Sequence, residues 1–144
     1  MKICVLAARY ALSGVPLAQL RFARALSAAG HDVELIFGLI NPGYSLPKID
    51  GVSVLIMNKS RVMGMLIPMK KYFTERGPDI VFSAGDHLNV VVLLAAIMSR
   101  SSAKISCSSR VTPFDTSYPF QRKKPICLSV AICIEIISVH IILV

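Results

Sequence analysis

The stretch from Met1 to Phe37, MKICVLAARYALSGVPLAQLRFARALSAAGHDVELIF, constrains the fold more than any other part of the chain. It reads as strand, glycine-bearing loop, helix, glycine stop and strand. Ile3–Ala7 is an apolar run too short for a helix and bounded by polar residues. Ala8–Pro16 reads as a loop with Ser13, Gly14 and Pro16 as its turn residues. Leu17–Ala29 reads as a helix, with Ala18, Phe22, Ala25, Leu26 and Ala29 forming an apolar stripe. Gly30 falls where a left-handed residue ends a helix, and Val33–Phe37 is the next apolar run. Two buried strands joined by an amphipathic helix make a right-handed βαβ unit on a parallel sheet. Ligands bind such sheets at the carboxyl ends of the strands, which places function on the Ala8–Pro16 loop.

The same residues resemble the start of a family-4 glycosyltransferase, in Ser13-Gly14-Val15-Pro16 before the helix and Ala28-Ala29-Gly30-His31-Asp32-Val33 after it. Gly77-Pro78-Asp79-Ile80-Val81-Phe82-Ser83 is similar to that family's lead-in to its fourth strand. Ala103-Lys104-Ile105-Ser106-Cys107-Ser108-Ser109-Arg110 is similar to its next strand and exit loop. The resemblance runs from about Met1 to about Pro119, and order and spacing carry it rather than any single motif. It implies one half of a GT-B fold, in which two Rossmann-like domains face each other across a cleft. It also implies transfer of a sugar from a nucleotide-sugar donor to an acceptor, with this domain holding mainly the acceptor. In such enzymes the donor sits mainly in the second domain, with its paired-glutamate motif, and no metal is usually needed. The resemblance thus implies that the isolated 144-residue chain is catalytically dead or nearly so.

The rest of the chain continues the α/β alternation. Gly38–Asp50 reads as a loop broken by Asn41-Pro42-Gly43 and Pro47, and Val52–Met57 as a third strand. Ser60–Arg76 reads as mostly helical, with Val62, Leu66, Met69 and Phe73 on one face. Pro68 either kinks that helix or starts it. Gly77-Pro78 ends it, Asp79–Ala84 is a fourth strand, and Gly85-Asp86-His87 a short loop. Leu88–Ser99 is apolar nearly all round and reads as a well-buried helix, followed by a fifth strand, Ala103–Ser108. The expected fold is therefore α/β, a Rossmann-like parallel sheet with helices on both faces, over residues 1–119.

Residues 120–144 stand apart. Arg122-Lys123-Lys124 precedes Ile126–Val144, nineteen residues almost unbroken in apolar character, with Glu135 and His140 as its ionisable groups. Its length suits a membrane anchor of about 20 residues, although a central glutamate costs a few kcal/mol there. The alternatives are a strand or helix continuing the domain, and a segment not native to the fold, either truncated or out of frame. The last is the preferred reading.

Charge and cysteines bound the class of function. The net charge of +8 is distributed, with Lys59, Arg61, Lys70, Lys71 and Arg76 against Glu75 alone between Asn58 and Pro78. No aromatic-interleaved basic run or nucleic-acid module appears, so nucleic acid is not an expected partner. An anionic membrane surface or an anionic substrate remains, beside the plain reading of a solvated basic face. Cys4 and Cys107 lie inside expected strands, and the Cys127–Cys133 spacing fits no zinc pattern. Met1 leads straight into a strand. The expected setting is reducing and cytoplasmic, with peripheral attachment to the inner face of a membrane as an extension.

Five residues carry the candidate chemistry. Gly14 allows close backbone approach of a phosphate at a helix N-terminus, or serves only the turn; where the family often has a glycine pair, Val15 follows here. Asp86 and His87, after the fourth strand, stand where either takes a proton from an acceptor hydroxyl, although Asp86 is also well placed as a helix N-cap. Arg9 and Arg110 are each a phosphate partner or a solvated loop arginine. No metal cluster, Walker loop or G-x-S-x-G elbow is present. A nicotinamide site is excluded, because the first loop offers only Gly14 and the second strand ends Phe37-Gly38 rather than on an acid. Two further classes compete with the transferase. One is a non-catalytic membrane-peripheral module using the basic face and apolar tail. The other is another GT-B-like enzyme such as a nucleotide-sugar epimerase, whose features the first loop lacks.

Overall fold

The chain is seen in a computed structural model that describes residues 1–46, 49–108 and 141–143. Its strands are β1 (Lys2–Tyr10), β2 (Asp32–Ile40), β3 (Val52–Ile56), β4 (Ile80–Ala84), β5 (Lys104–Ser108) and the short β6 (Ile141–Leu143). They form one sheet in the order β3-β2-β1-β4-β5-β6, every neighbouring pair parallel. The helices are α1 (Gly14–Ala28), α2 (Leu66–Arg76) and α3 (Asp86–Ser99).

Side chains alternate across the sheet, and both faces are buried. Ile3, Val5 and Ala7 of β1 with Val33, Leu35 and Phe37 of β2 meet Ala23 of α1 on one face. Cys4, Leu6, Ile36, Val81 and Ile105 meet α2 and α3 on the other. A strand covered on both faces needs no polar residue at alternate positions, so these strands read as unbroken apolar runs. The expected Rossmann-like sheet with helices on both faces is what forms.

Several boundaries differ from the sequence reading. β1 continues to Tyr10, and α1 begins at Gly14 rather than Leu17, which shortens the loop to Ala11–Ser13. Pro16 does not delay the helix. It occupies the first turn, where a missing N–H costs nothing and its fixed φ suits the helix. The inward stripe of α1 also differs. Pro16 and Ala23 are buried and Leu20 and Leu26 pack on the core, whereas Ala25 and Ala29 are exposed and Phe22 is 38% exposed. Both stripes are apolar at helical spacing, so periodicity alone does not choose. The closest approach to the sheet goes to the smaller side chain. Phe22 instead lies edge-on to Phe82 at 4.8 Å.

The expected stop at Gly30 is present, with φ +86°. The His31 N–H donates to the Leu26 carbonyl at 3.2 Å and the Gly30 N–H to that of Ser27 at 2.9 Å, the paired bonds of a Schellman motif. β2 then runs through Gly38, which was expected in a loop. A Cβ at Gly38 would lie 2.5 Å from the carbonyl oxygen of Ala8 and 2.6 Å from the Met65 sulfur.

Pro68 does not begin α2. A 3-10 turn, Val62–Met65, runs directly into the helix, and Pro68 is the third residue of α2. Met65, Met69, Tyr72 and Phe73 are buried on the inner side, with Val62 and Leu66 packed against them. Gly77 closes α2 in a left-handed conformation. α3 starts at Asp86, two residues before the expected Leu88. It is well buried on its inner face only. Leu88, Val91, Val92 and Ala95 are in the core, whereas Leu94, Ile97 and Met98 are exposed.

The loop expected from Arg110 to Pro119, most of the apolar tail, Cys127 and Cys133 lie outside the described residues. Among the described residues no helix is long and apolar enough to cross a membrane.

Candidate functional site

The carboxyl ends of the parallel strands share one edge of the sheet. The chain leaves β1 toward β2 through α1, and leaves β4 toward β5 through α3, in opposite directions. β1 and β4 are neighbours, Ile3 pairing with Ile80 and Ala7 with Ala84. Their outgoing connections diverge onto opposite faces, and it is at such a switch point that open α/β sheets carry their ligand crevice. Gly14 stands on one side of it, Asp86 and His87 on the other.

On the β1 side, Ser13 is the N-cap of α1 in an extended conformation (φ −127°, ψ 166°). Its carbonyl accepts the Leu17 N–H at 3.2 Å, but its side chain makes no capping bond. No acidic residue lies in the first turn. Neither the cap nor the first turn therefore supplies a group that offsets the positive end of the α1 dipole, and such an end suits an anion. Gly14 is the first helical residue and is exposed, and nothing lies within 4 Å of where its Cβ would be. Packing does not require a glycine here.

On the β4 side, Asp86 is not the N-cap. Gly85 takes that position with φ +118° and ψ 129°, a conformation suited to glycine. The corner is stapled to the end of β5. The Gly85 N–H donates to the Ser108 carbonyl at 3.1 Å and the Asn89 Nδ2 donates to the same oxygen at 3.2 Å. Asp86 and His87 become the first two residues of α3, both exposed, with Asp86 opposing the helix dipole.

Arg9 belongs to β1 rather than to a loop, and its Nη2 donates to the Ser60 carbonyl at 2.7 Å. That bond ties the edge of the sheet to the connection entering the 3-10 turn. Arg110 lies outside the described residues.

Two residues at this edge went unnoticed in the sequence. Ser83 is 1% exposed and its Oγ has no hydrogen-bond partner among the described residues. Asn89 is 9% exposed; its Nδ2 is engaged and its Oδ1 has no partner among the described residues. The signal for Asn89 was its amide inside the apolar run Leu88–Met98, four residues after the glycine cap.

The opposite edge holds a tighter polar cluster. The Tyr72 hydroxyl donates to Glu34 Oε2 at 2.6 Å, and Arg76 Nη1 lies 3.3 Å from Glu34 Oε1. Burial, reinforced by the neighbouring Cys4 and Glu34, holds the Tyr72 hydroxyl well above the ordinary phenol range. The adjoining cavity, lined by Lys2, Asp32, Glu34, Tyr72 and Arg76 among others, is about 60 Å³. Ligand pockets run from about 300 Å³. The cluster clamps the end of α2 to β2 and lies at the amino ends of the strands, away from the crevice.

Cys4 and Cys107 are free and buried, as their strand positions implied. Burial pushes the Cys4 thiol up to about 12 and the Cys107 thiol up to about 11. Thiolate is the reactive form, so iodoacetamide should leave both unlabelled in the native protein and label both once it is unfolded. Peptide mapping by mass spectrometry reads this directly. The same shifts set an alkaline limit. Between the ordinary thiol value of 9.0 and these raised values the folded state holds protons that the unfolded state has lost. The contribution of the two thiols to stability should therefore be constant below pH 9 and be lost as pH rises toward 11–12, seen as a falling Tm. No group of three or more metal-ligating side chains comes together among the described residues.

No protein family matches the chain, and no curated protein does. Among solved structures it is similar to a sucrose-phosphate synthase from Thermosynechococcus elongatus, with a TM-score of 0.67 and 10% sequence identity over 90% of this chain. The match covers 39% of that enzyme's chain. At this identity the likeness carries the fold alone. The fold is α/β and Rossmann-like, and it matches part of that enzyme's chain.

Proposed function

We propose that this chain is the acceptor-side domain of a family-4-type glycosyltransferase, one that moves a sugar from a nucleotide-sugar donor to a sugar or lipid-linked acceptor. The observation that carries this reading is the switch point between β1 and β4, flanked by the N-termini of α1 and α3, in a fold similar to part of a sugar-transferring synthase. In it the uncapped start of α1 receives an anionic group of the acceptor, and the side-chain-free Gly14 lets that group reach the backbone. The Asn89 Oδ1, buried and without a partner among the described residues, accepts a hydroxyl of the acceptor. His87, with Asp86 beside it, takes the proton that leaves the attacking hydroxyl as the glycosidic bond forms and the nucleoside diphosphate departs. The donor is a co-substrate held mainly by a second domain, so the 144-residue chain alone transfers no sugar. Two free buried thiols fit a cytoplasmic setting.

The test is a set of amide NMR spectra of the chain titrated with hexoses, hexose phosphates and nucleotide sugars. A hexose or hexose phosphate should shift Gly14, Val15, Asp86 and His87 together. Gly14→Val should abolish those shifts and leave the melting temperature nearly unchanged, because open space surrounds the new side chain. Shifts confined to other residues, or none with any compound, would overturn the reading. So would sugar transfer by the isolated chain.

A further inference from the structure

The best-exposed large apolar side chain among the described residues is Ile67, at 76%. Met63, one turn earlier, is 62% exposed. Both stand on the outer side of the unit made by the 3-10 turn and α2, whose inner side is filled by Met65, Met69, Tyr72 and Phe73. Neither has a place in the core to return to. Around them are Lys59, Arg61, Lys70 and Lys71, all exposed. No acidic residue occurs from Gly51 to Thr74. The nearest acid, Glu75, is 3.6 Å from Lys71, and Arg76 is already engaged by Glu34. The surface is therefore a convex apolar ridge in a basic setting.

We propose that this ridge docks on a lipid bilayer bearing anionic headgroups, with Met63 and Ile67 entering the headgroup–acyl boundary and Lys59, Arg61, Lys70 and Lys71 meeting lipid phosphates. Charge complementarity selects the occupant. A basic ring draws the chain to an anionic surface, and protruding apolar side chains gain free energy once they leave water there. The ridge has a fixed place relative to the crevice. The Lys59 N–H donates to the Gly38 carbonyl at 2.8 Å, and Arg9 holds Ser60. The start of the ridge thus lies by the carboxyl edge of the sheet, and docking brings the crevice close to the bilayer. The proposal stands on these side chains whether or not the crevice takes a sugar.

Vesicle co-sedimentation of the full chain tests it. Binding should be strong to phosphatidylglycerol-rich vesicles, weak to pure phosphatidylcholine and reduced by salt. Ile67→Ser with Met63→Ser should weaken binding at least about tenfold, from the apolar area returned to water. Each of Lys70→Gln and Lys71→Gln should weaken it about fivefold. All four side chains are exposed, so the variants should melt with the parent. Unchanged binding in the Met63/Ile67 double variant would overturn the proposal. If the lysine variants alone then lose binding, the surface reads charge only, as an acidic protein partner would require. If neither set does, the vesicles are held by another part of the chain, such as the apolar residues after Ile126. Equal binding to neutral vesicles would overturn it as well.

Discussion

Gly38→Val is expected to cost the folded protein about 3 kcal/mol of its stability. The position lies within β2, packed between β1 and the 3-10 turn. A Cβ there would sit 2.5 Å from the Ala8 carbonyl oxygen and 2.6 Å from the Met65 sulfur. The two contacts differ in kind. The Met65 side chain can turn away, at the cost of repacking a fully buried residue. The Ala8 carbonyl belongs to the backbone of β1, which is paired with β4 up to Ala7 and with β2 again from Arg9, so it moves only if the strand moves with it. Overpacking a core costs about 1–3 kcal/mol and sometimes more, and a clash with sheet backbone belongs at the upper end. The total stability of a domain this size is about 5–15 kcal/mol. Urea titration followed by circular dichroism should show a much lower midpoint, and Met65→Ala in the same chain should not restore it. A midpoint within error of the parent would show that the strand yields where the register says it cannot.

The neighbouring residue fails in the opposite way. Phe37 is fully buried, and its ring meets Tyr10 edge-on at 5.2 Å. It faces α1 amid Val5, Leu35 and Ala23. Phe37→Ala removes the transfer free energy of the ring and leaves a hole that a sheet buried on both faces cannot close, about 3–5 kcal/mol in all. The urea midpoint should fall without a change in slope, because the unfolded chain exposes nearly the same surface. A loss under about 1 kcal/mol would mean that α1 settles into the hole, and that its grip on the sheet is looser than Ala23 implies.

The βαβ arrangement was legible because strands buried on both faces leave unbroken apolar runs, and because Gly30 and Gly77 stop helices where the chain turns. The facing of α1 was not legible. Its two stripes are equally apolar, and only contact with the sheet selects Ala23 over Phe22. Gly38 read as a loop residue because glycine usually marks a turn. Here it marks two backbones that pass close together, which depends on Ala8 and Met65 far away in sequence. At the crevice, Gly14, Asp86 and His87 could be placed at the carboxyl edge from strand order alone. The staple of Gly85 and Asn89 on Ser108 could not, since it joins three elements that only the fold brings together. The capping role given to Asp86 failed for a related reason. Gly85 already has the backbone shape the cap needs, so Asp86 moves one position into the helix.

The reversal of the chain between β1 and β4 also governs when the crevice comes into being during folding. Gly14 follows the first strand, whereas Asp86 follows a strand made only after β2, β3 and α2 have been threaded. The two sides of the crevice come together only when β1 pairs with β4, from Ile3 on Ile80 to Ala7 on Ala84. Such a pairing across a long stretch of chain is entropically slow. The local β1–α1–β2 unit can form earlier, yet it presents only half of the crevice. A ligand of the proposed site should therefore bind only once the β1–β4 pairing has formed and be released when that pairing is lost, which would make its binding a stricter gauge of the native state than helix content.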